Sequence, residues 1–479
     1  MIRPLCSALM VALLSGCMVG PDYIRPDSPM PTNWQTPLPH NGNPAALIDW
    51  WHQFDDPLVA ELIARAEADS PTLEQALARI RQSRTNVTVA RSPLFPSAAL
   101  TANRTRSGEH PVAYEQTVSR GGLDASWEID LFGGNRRGSE AAQARLEGTE
   151  AAWHEARISL AAEVALEYLS LRVCEARVVD ADIERDSRRL TARLTEQKSA
   201  AGFAPPADAA LARASAAEGE ARVLTQRMEC DLGVKSLVAL TGIAEPTLRE
   251  ELAPRYATLP RPAGLFINSM PLRALSARPD LAVAERTLAA ASADIGVAEA
   301  ARYPRLSLLG AIGRQHQTID GITTAGRAWS FGPSLELPFF NAGRLAAQAE
   351  LARVRYDEAL AAYKGAVRKA VREVEQSLVR LASAAGREEQ SGKAVRHYDE
   401  VLAATEQRWK TGLASQLELE EIRRLAVAAR SQHLGIRSDS VAAWIGLYRA
   451  VGGGWSPDSV ITENTTRAAA RASGNEISP

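Results

Sequence analysis

The sequence predicts a mainly helical protein in which long antiparallel helical hairpins accompany four membrane β-strands, both features being laid out as an internal tandem repeat. Three observations predict this class. Ser70-Pro71-Thr72-Leu73 returns 208 positions later as Arg278-Pro279-Asp280-Leu281, and Leu131-Phe132-Gly133-Gly134-Asn135-Arg136 returns at the same offset as Phe339-Phe340-Asn341-Ala342-Gly343-Arg344. Each repeat carries segments that alternate apolar and polar residues with period two. Each then continues into a long proline-free stretch with helical periodicity.

The N-terminus reads as a processing signal. Arg3 precedes an apolar run from Leu5 to Leu14, too short to span a bilayer, and Leu14-Ser15-Gly16-Cys17 is the small-residue pattern at which a signal is cut. The cut resembles the bacterial lipobox, so residues 1–16 are expected to be removed and Cys17 acylated as the first mature residue. An ordinary secretory signal with an incidental Cys is the alternative. Met18 stands where an Asp would direct retention at the inner membrane, so the outer membrane is the expected destination. Removing 16 residues from 479 leaves 463, more than one ordinary core serves, which calls for several domains or an elongated architecture. A formal net charge of −2 gives no electrostatic case for nucleic acid. No later apolar run is long enough for a transmembrane helix, so a membrane crossing must use strands.

After an extended segment over 17–56, the first repeat is expected over 57–242. It opens with a helix from Pro57 to Ser92, interrupted at Pro71, and continues with strands over 94–106 and 120–131 and a helical hairpin over 134–242. A linker over 243–277 leads to the second repeat over 278–455: a helix from Pro279 to Arg302, strands over 305–314 and 328–339, and a hairpin over 341–452. Residues 456–479 form a Ser-, Thr-, Asn- and Ala-rich tail.

The strands carry the membrane argument. Leu123, Ala125, Trp127, Ile129 and Leu131 share one face, against Asp124, Ser126, Glu128 and Asp130 on the other. In the second repeat Trp329, Phe331, Pro333, Leu335, Leu337 and Phe339 oppose Ser330, Gly332, Ser334 and Glu336. The polar segments Ser107 to Arg120 and Gln315 to Ala328 are expected as joining loops. A soluble sandwich shows the same alternation, as does an outer-membrane barrel. Four strands cannot close a barrel, since the smallest has about eight, and an open edge cannot face lipid. In a membrane, several copies must therefore share one barrel.

The helices are long. Tyr356, Leu360, Tyr363, Val367, Val371, Val374, Leu378 and Leu381 recur at steps of three and four. Ala161, Val164, Tyr168 and Leu171 stand 210 positions before the last four of these. At about 1.5 Å per residue, the stretch 134–201 is roughly 100 Å long, more than any globular core needs. Gly202 with Pro205-Pro206, and Gly412, break the helices, and a second helix returns to Gly242 and Gly452 respectively.

With these residues in view, the chain resembles the outer-membrane factors of tripartite efflux systems, the TolC-like family, and specifically its NodT-type lipoprotein branch. The resemblance rests on Cys17-Met18-Val19-Gly20-Pro21-Asp22-Tyr23 with Arg25-Pro26, on Trp50-Trp51-His52-Gln53-Phe54-Asp55-Asp56-Pro57-Leu58, on Tyr303-Pro304 and on Ala239-Leu240-Thr241-Gly242. It covers residues 17–455. It implies a homotrimer, four strands per subunit in a 12-stranded barrel, and a periplasmic helical tunnel. Its implied partners are a periplasmic adaptor, docking at the hairpin tips around Gly202 and Gly412, and an inner-membrane transporter of the RND type.

The family closes its tunnel with inward-facing acidic residues just after the helix-breaking Gly. The corresponding residues are Glu418 and Glu421, an i, i+3 pair, with Asp208 at the equivalent place 210 positions earlier. Threefold symmetry would gather these carboxylates, raising their pKa values by like-charge repulsion and drawing cations. This chain has Glu where the family usually has Asp, and Glu420 where an apolar residue is common. The same residues also fit the solvated face of a capped helix.

Cys174 and Cys230 lie on opposite arms of the first hairpin, 30 and 26 residues from a bend near 204. In an oxidising periplasm they form either a disulfide or two buried thiols. The seven His residues are scattered, His154-Glu155 lacks the second His of a zincin helix, and no nucleophile elbow or phosphate-cradling loop is present. No enzyme activity, metal or cofactor is expected. The rival to a channel is a periplasmic adaptor lipoprotein, which needs one hairpin where this chain repeats it.

Overall fold

The computed structural model describes residues 18–26, 50–109, 114–262, 278–319 and 321–455. The signal over 1–16, Cys17 and the tail over 456–479 lie outside the described residues. In chain order the regular elements are α1 (Pro57–Ala68), α2 (Pro71–Arg91), β1 (Ser97–Glu109), β2 (Tyr114–Ile129), α3 (Gly134–Ala200), α4 (Pro206–Thr241), α5 (Glu245–Leu252), α6 (Pro279–Ala300), β3 (Arg305–Ile319), β4 (Ile322–Glu336), α7 (Arg344–Lys410) and α8 (Gln416–Ala450). The duplication is visible in these lengths. Both α3 and α7 have 67 residues and start 210 positions apart, and α4 and α8 have 36 and 35 residues.

The chain forms two compact units. One contains Ala76–Ala152 and Asp280–Ala366 together with residues 18–26. Its sheet is antiparallel in the order β1-β2-β3-β4, so β1 and β4 are its two edges. Leu123 stands opposite Leu100 and Ile312, and Ile312 opposite Trp329, which places the apolar residues of all four strands on one face. That face is uncovered: Leu100, Ile312, Trp329, Phe331 and Leu335 are all exposed. The strands differ from the expected ones in their ends. Ser92–Leu94 is a single 3-10 turn, with Pro93 and Pro96 delaying β1 to Ser97, and the segments expected as loops pair as strand up to Glu109↔Tyr114 and Ile319↔Ile322. Their polarity reports exposure to water and does not prevent the ladder from continuing.

In the same unit, residues 18–26 lie against α3 and α6. The Val19 N–H donates to the Phe132 carbonyl at 3.1 Å. The buried Arg137 guanidinium donates to the carbonyls of Val19 and Gly20 and to Asp22 Oδ1 at 2.7 Å. Gly20 has φ +89°, and a Cβ there would stand 2.4 Å from the Gly296 Cα, so no other residue fits. Tyr23 donates to Glu285 at 3.4 Å, which also pairs with Arg25.

The second unit lies within Pro29–Gln75, Trp153–Pro279 and Val367–Pro479. Most of the predicted stripe in this unit is its core: Ala161, Val164, Tyr168, Leu171, Val367, Val374, Leu378 and Leu381 are buried, while Val371 is half-buried. Asp56 caps α1 through the Leu58 N–H and accepts from the buried Tyr168 hydroxyl. Trp50 and Trp51 pack on Tyr448, with ring centroids 5.5 and 4.6 Å away. Cys174 and Cys230 are joined as a disulfide with Cα atoms 5.5 Å apart, linking α3 to α4. The linker expected over 243–277 contains the helix α5, held when the buried Arg172 donates to the Leu252 carbonyl at 3.0 Å. Its Pro-containing sequence, Glu245-Pro246-Thr247-Leu248, concealed a short helix with Pro at N2.

Candidate channel gate at the hairpin ends

The two hairpins turn in the same way. In each, a Gly at φ +80° follows the first helix, as the left-handed C′ position requires. Around Gly202, the Phe203 N–H bonds the Lys198 carbonyl at 2.7 Å and the Gly202 N–H the Ser199 carbonyl at 3.0 Å; around Gly412, Leu413 bonds Arg408 at 2.8 Å and Gly412 bonds Trp409 at 3.1 Å. These are paired Schellman closures. The return helices start four residues later, with Pro205 before α4 and Ser415 capping α8 by accepting from the Glu418 N–H at 3.0 Å. Both turns push an apolar side chain outward, Phe203 at 85% and Leu413 at 72% exposure.

Asp208 and Glu418 occupy the same position, the third residue of their helices. Asp208 is half-buried. Glu418 meets Arg408 across the turn at 2.7 Å, and the same guanidinium donates to the Leu413 carbonyl. Glu421 pairs with Arg424 at 2.7 Å. Both pairs are open to water, where an ion pair contributes only about 0–1 kcal/mol, so neither Arg holds its carboxylate tightly.

Between the hairpins lies a polar network that sequence reasoning did not locate. Arg423, at 2% exposure, donates to Glu420 at 2.7 Å, to Ser187 at 3.0 Å and to Thr191 at 3.1 Å. Glu420 also accepts from Ser215 at 2.9 Å and from Gln416 at 3.0 Å. Ser215 accepts from Arg188 at 2.9 Å, which is held by the buried Glu184 at 2.8 Å, and Ser187 donates to Glu406 at 3.2 Å. All four long helices of the unit thus meet in one polar network around the buried Arg423, Arg188 and Glu184, which α4 joins through Ser215 and α7 through the half-buried Glu406. Nearby, burial pushes the Asp180 carboxyl up, Asp399 and Glu184 adding to the effect and Arg430 opposing it. Closer to the turns, the Lys198 ammonium lies 4.8 Å from the Trp409 ring centre. Glu420 is therefore polar because it ties α8 to α3 and α4. The only sequence signal was its departure from the apolar residue common in the family.

Paired helical hairpins in one unit, and in the other a sheet with two open edges and one exposed apolar face, define a subunit of an outer-membrane channel with the TolC-like fold. The chain belongs to the outer membrane efflux protein family, whose profile matches residues 62–243 and again 270–453, once for each repeat. It is similar to the outer membrane protein OprJ of Pseudomonas aeruginosa, 31% identical with 94% of this chain and 95% of that one covered. It is also similar to nodulation protein T of Rhizobium leguminosarum bv. viciae, 28% identical with 98% of both chains covered. The solved structure of the outer-membrane channel OprN superposes with a TM-score of 0.80 at 28% identity, over 92% of this chain and all of that one. The family and its solved members are channels, and the match runs through both repeats, so the single-hairpin adaptor alternative falls. The chain is an outer-membrane efflux channel.

Proposed function

We propose that three copies of this chain close a 12-stranded barrel and a helical tunnel that serve as the passive exit duct of a tripartite efflux system. The observation that carries this is the sheet: β1 and β4 are both unpaired edges beside an exposed apolar face, and hydrocarbon offers no partner for their N–H and C=O groups. Three copies sealing edge to edge remove every edge. Cys17 carries the acyl anchor, and the Val19–Phe132 bond ties the following residues beside the end of β2. The hairpin turns at Gly202 and Gly412, with Phe203 and Leu413 uncovered, dock a periplasmic adaptor, and an inner-membrane transporter of the RND type supplies small molecules and energy. Glu418, Glu421 and Asp208 line the periplasmic constriction, and the Arg423–Glu420 network holds the hairpins together in the resting state.

The test is purification from outer membranes followed by planar-bilayer recording. A heat-resistant oligomer with ionic conductance is expected. A well-folded monomer in detergent that never conducts refutes the reading, and a Cys17→Ser variant that still incorporates radiolabelled palmitate refutes the anchor.

A further inference from the structure

Beyond its apolar band, the same face of the sheet carries a cluster of basic residues. Arg314 on β3 stands directly opposite Arg327 on β4, in the row next to the Ile312↔Trp329 pair and farther from the helices. Because alternate residues share a face, Arg314 and Arg327 lie on the same side as Ile312 and Trp329. One row farther on, His316 is opposite Ser119, which is itself opposite Arg104. Arg104, Arg314, His316 and Arg327 are all exposed. Side chains directly opposite on neighbouring strands have Cβ atoms about 5 Å apart, and like charges there destabilise the pair. Among the described residues, Arg104, Arg314 and Arg327 form no ion pair, whereas Arg106 on the same face has Glu115 and Arg120 on the opposite face has Asp124.

We propose that Arg314 and Arg327, with Arg104 and His316 beside them, bind the phosphate of an outer-leaflet lipid headgroup. The apolar band runs from the Ile129, Leu306, Leu335 row to the Leu123, Ile312, Trp329 row. Rows two residues apart are about 6.6 Å apart along a strand, so the arginines sit one step past the aromatic boundary, at headgroup level. An arginine fork matches phosphate geometry with two parallel donors. The adjoining exposed Ile312 and Phe331 give acyl chains a surface that a free phosphate ion would not use. The lipid also relieves the repulsion between the opposed arginines.

The inference rests on the barrel reading, and its test separates the two. The full-length oligomer in detergent is titrated with bisphosphorylated lipid A, its dephosphorylated form and inorganic phosphate, with binding read by native mass spectrometry and conductance measured in parallel. Lipid A is expected to bind the wild type and to bind R314Q/R327Q at least about tenfold more weakly, the loss of a charge-assisted phosphate contact. R314K/R327K retains binding through its charge, R120Q on the opposite face binds as the wild type does, and dephosphorylation weakens binding as the Gln variants do. R327Q alone gives a smaller loss, which serves if the double variant fails to assemble. Equal binding by the Gln variants, or of the dephosphorylated lipid, overturns the proposal while normal conductance leaves the barrel standing. Displacement by millimolar inorganic phosphate also overturns it, in favour of a free-anion site.

Discussion

Arg423→Gln should open the resting channel. Its guanidinium is buried and holds Glu420 on its own helix and Ser187 and Thr191 on α3. Removing one partner of a buried ion pair costs about 3–5 kcal/mol when the remaining charge is stranded. Glu420 is not wholly stranded: it is 15% exposed and keeps Ser215 at 2.9 Å and Gln416 at 3.0 Å. The expected loss is therefore about 2–3 kcal/mol. If that interaction exists only with the hairpins together, the open state gains roughly 30- to 160-fold in population. Planar-bilayer recording of the assembled variant reads this as a longer open time at unchanged single-channel conductance. A double-mutant cycle with Glu420→Gln should give a coupling of at least about 1 kcal/mol. An assembled R423Q oligomer with wild-type open time, or strictly additive effects in the cycle, refutes the assignment of the network to the closed state.

Other consequences follow from single sites. Glu418→Ala/Glu421→Ala should lower cation over anion permeability in reversal-potential measurements, and unchanged selectivity would remove these carboxylates from the constriction. Cys174→Ser removes a bridge between residues 56 apart, which by chain entropy stabilises the fold by about 4 kcal/mol; thermal unfolding should shift down, and reductant should shift the wild type but not the variant. Burial pushes the His154 imidazole down to about 4, with Arg157 adding to the effect. Its folded pKa is thus below the unfolded value, so the unfolded state takes up the proton first and stability falls as the pH drops from about 6.5 towards 4. His154→Gln should flatten that part of the denaturation profile, and an identical profile for both proteins would exclude this residue as its source.

The sequence displayed the architecture because repetition and periodicity are properties of many residues at once. Val164, Tyr168 and Leu171 stood 210 positions from Val374, Leu378 and Leu381, and all six are buried. Gly202 and Gly412 announced turns because φ +80° admits few other residues. Strand ends were less legible. Thr318↔Thr323 and Ser107↔Gln116 are polar pairs in a regular ladder, and polarity marks a loop only when no partner strand is at hand. The Arg423 network was hidden for a different reason. Glu184, Arg188, Ser215, Glu420 and Arg423 come from three helices, and a charged residue on a helix reads as solvated until the packing shows otherwise.

The repeat also bears on where the gate moves. The second-hairpin counterparts of Cys174 and Cys230, 210 positions on, are Ala384 and Ser440, and both line a cleft of about 290 Å³ with Arg380, Arg387 and Asp439. The first hairpin is thus covalently bridged at a place where the second is open. If opening required α7 and α8 to slide along each other, the unbridged cleft would be functional, and a bridge there would block the channel. If the closed state is instead held between the hairpins by Arg423 and Glu420, each hairpin moves as a unit and a bridge inside it does nothing to conductance. The Arg423 geometry favours the second case, because its partners Ser187 and Thr191 belong to the other hairpin. Ala384→Cys/Ser440→Cys in the oxidised state should therefore conduct as the wild type does while unfolding at higher temperature. Conductance that is lost on oxidation and restored by reductant would place the motion inside the second hairpin and refute the argument.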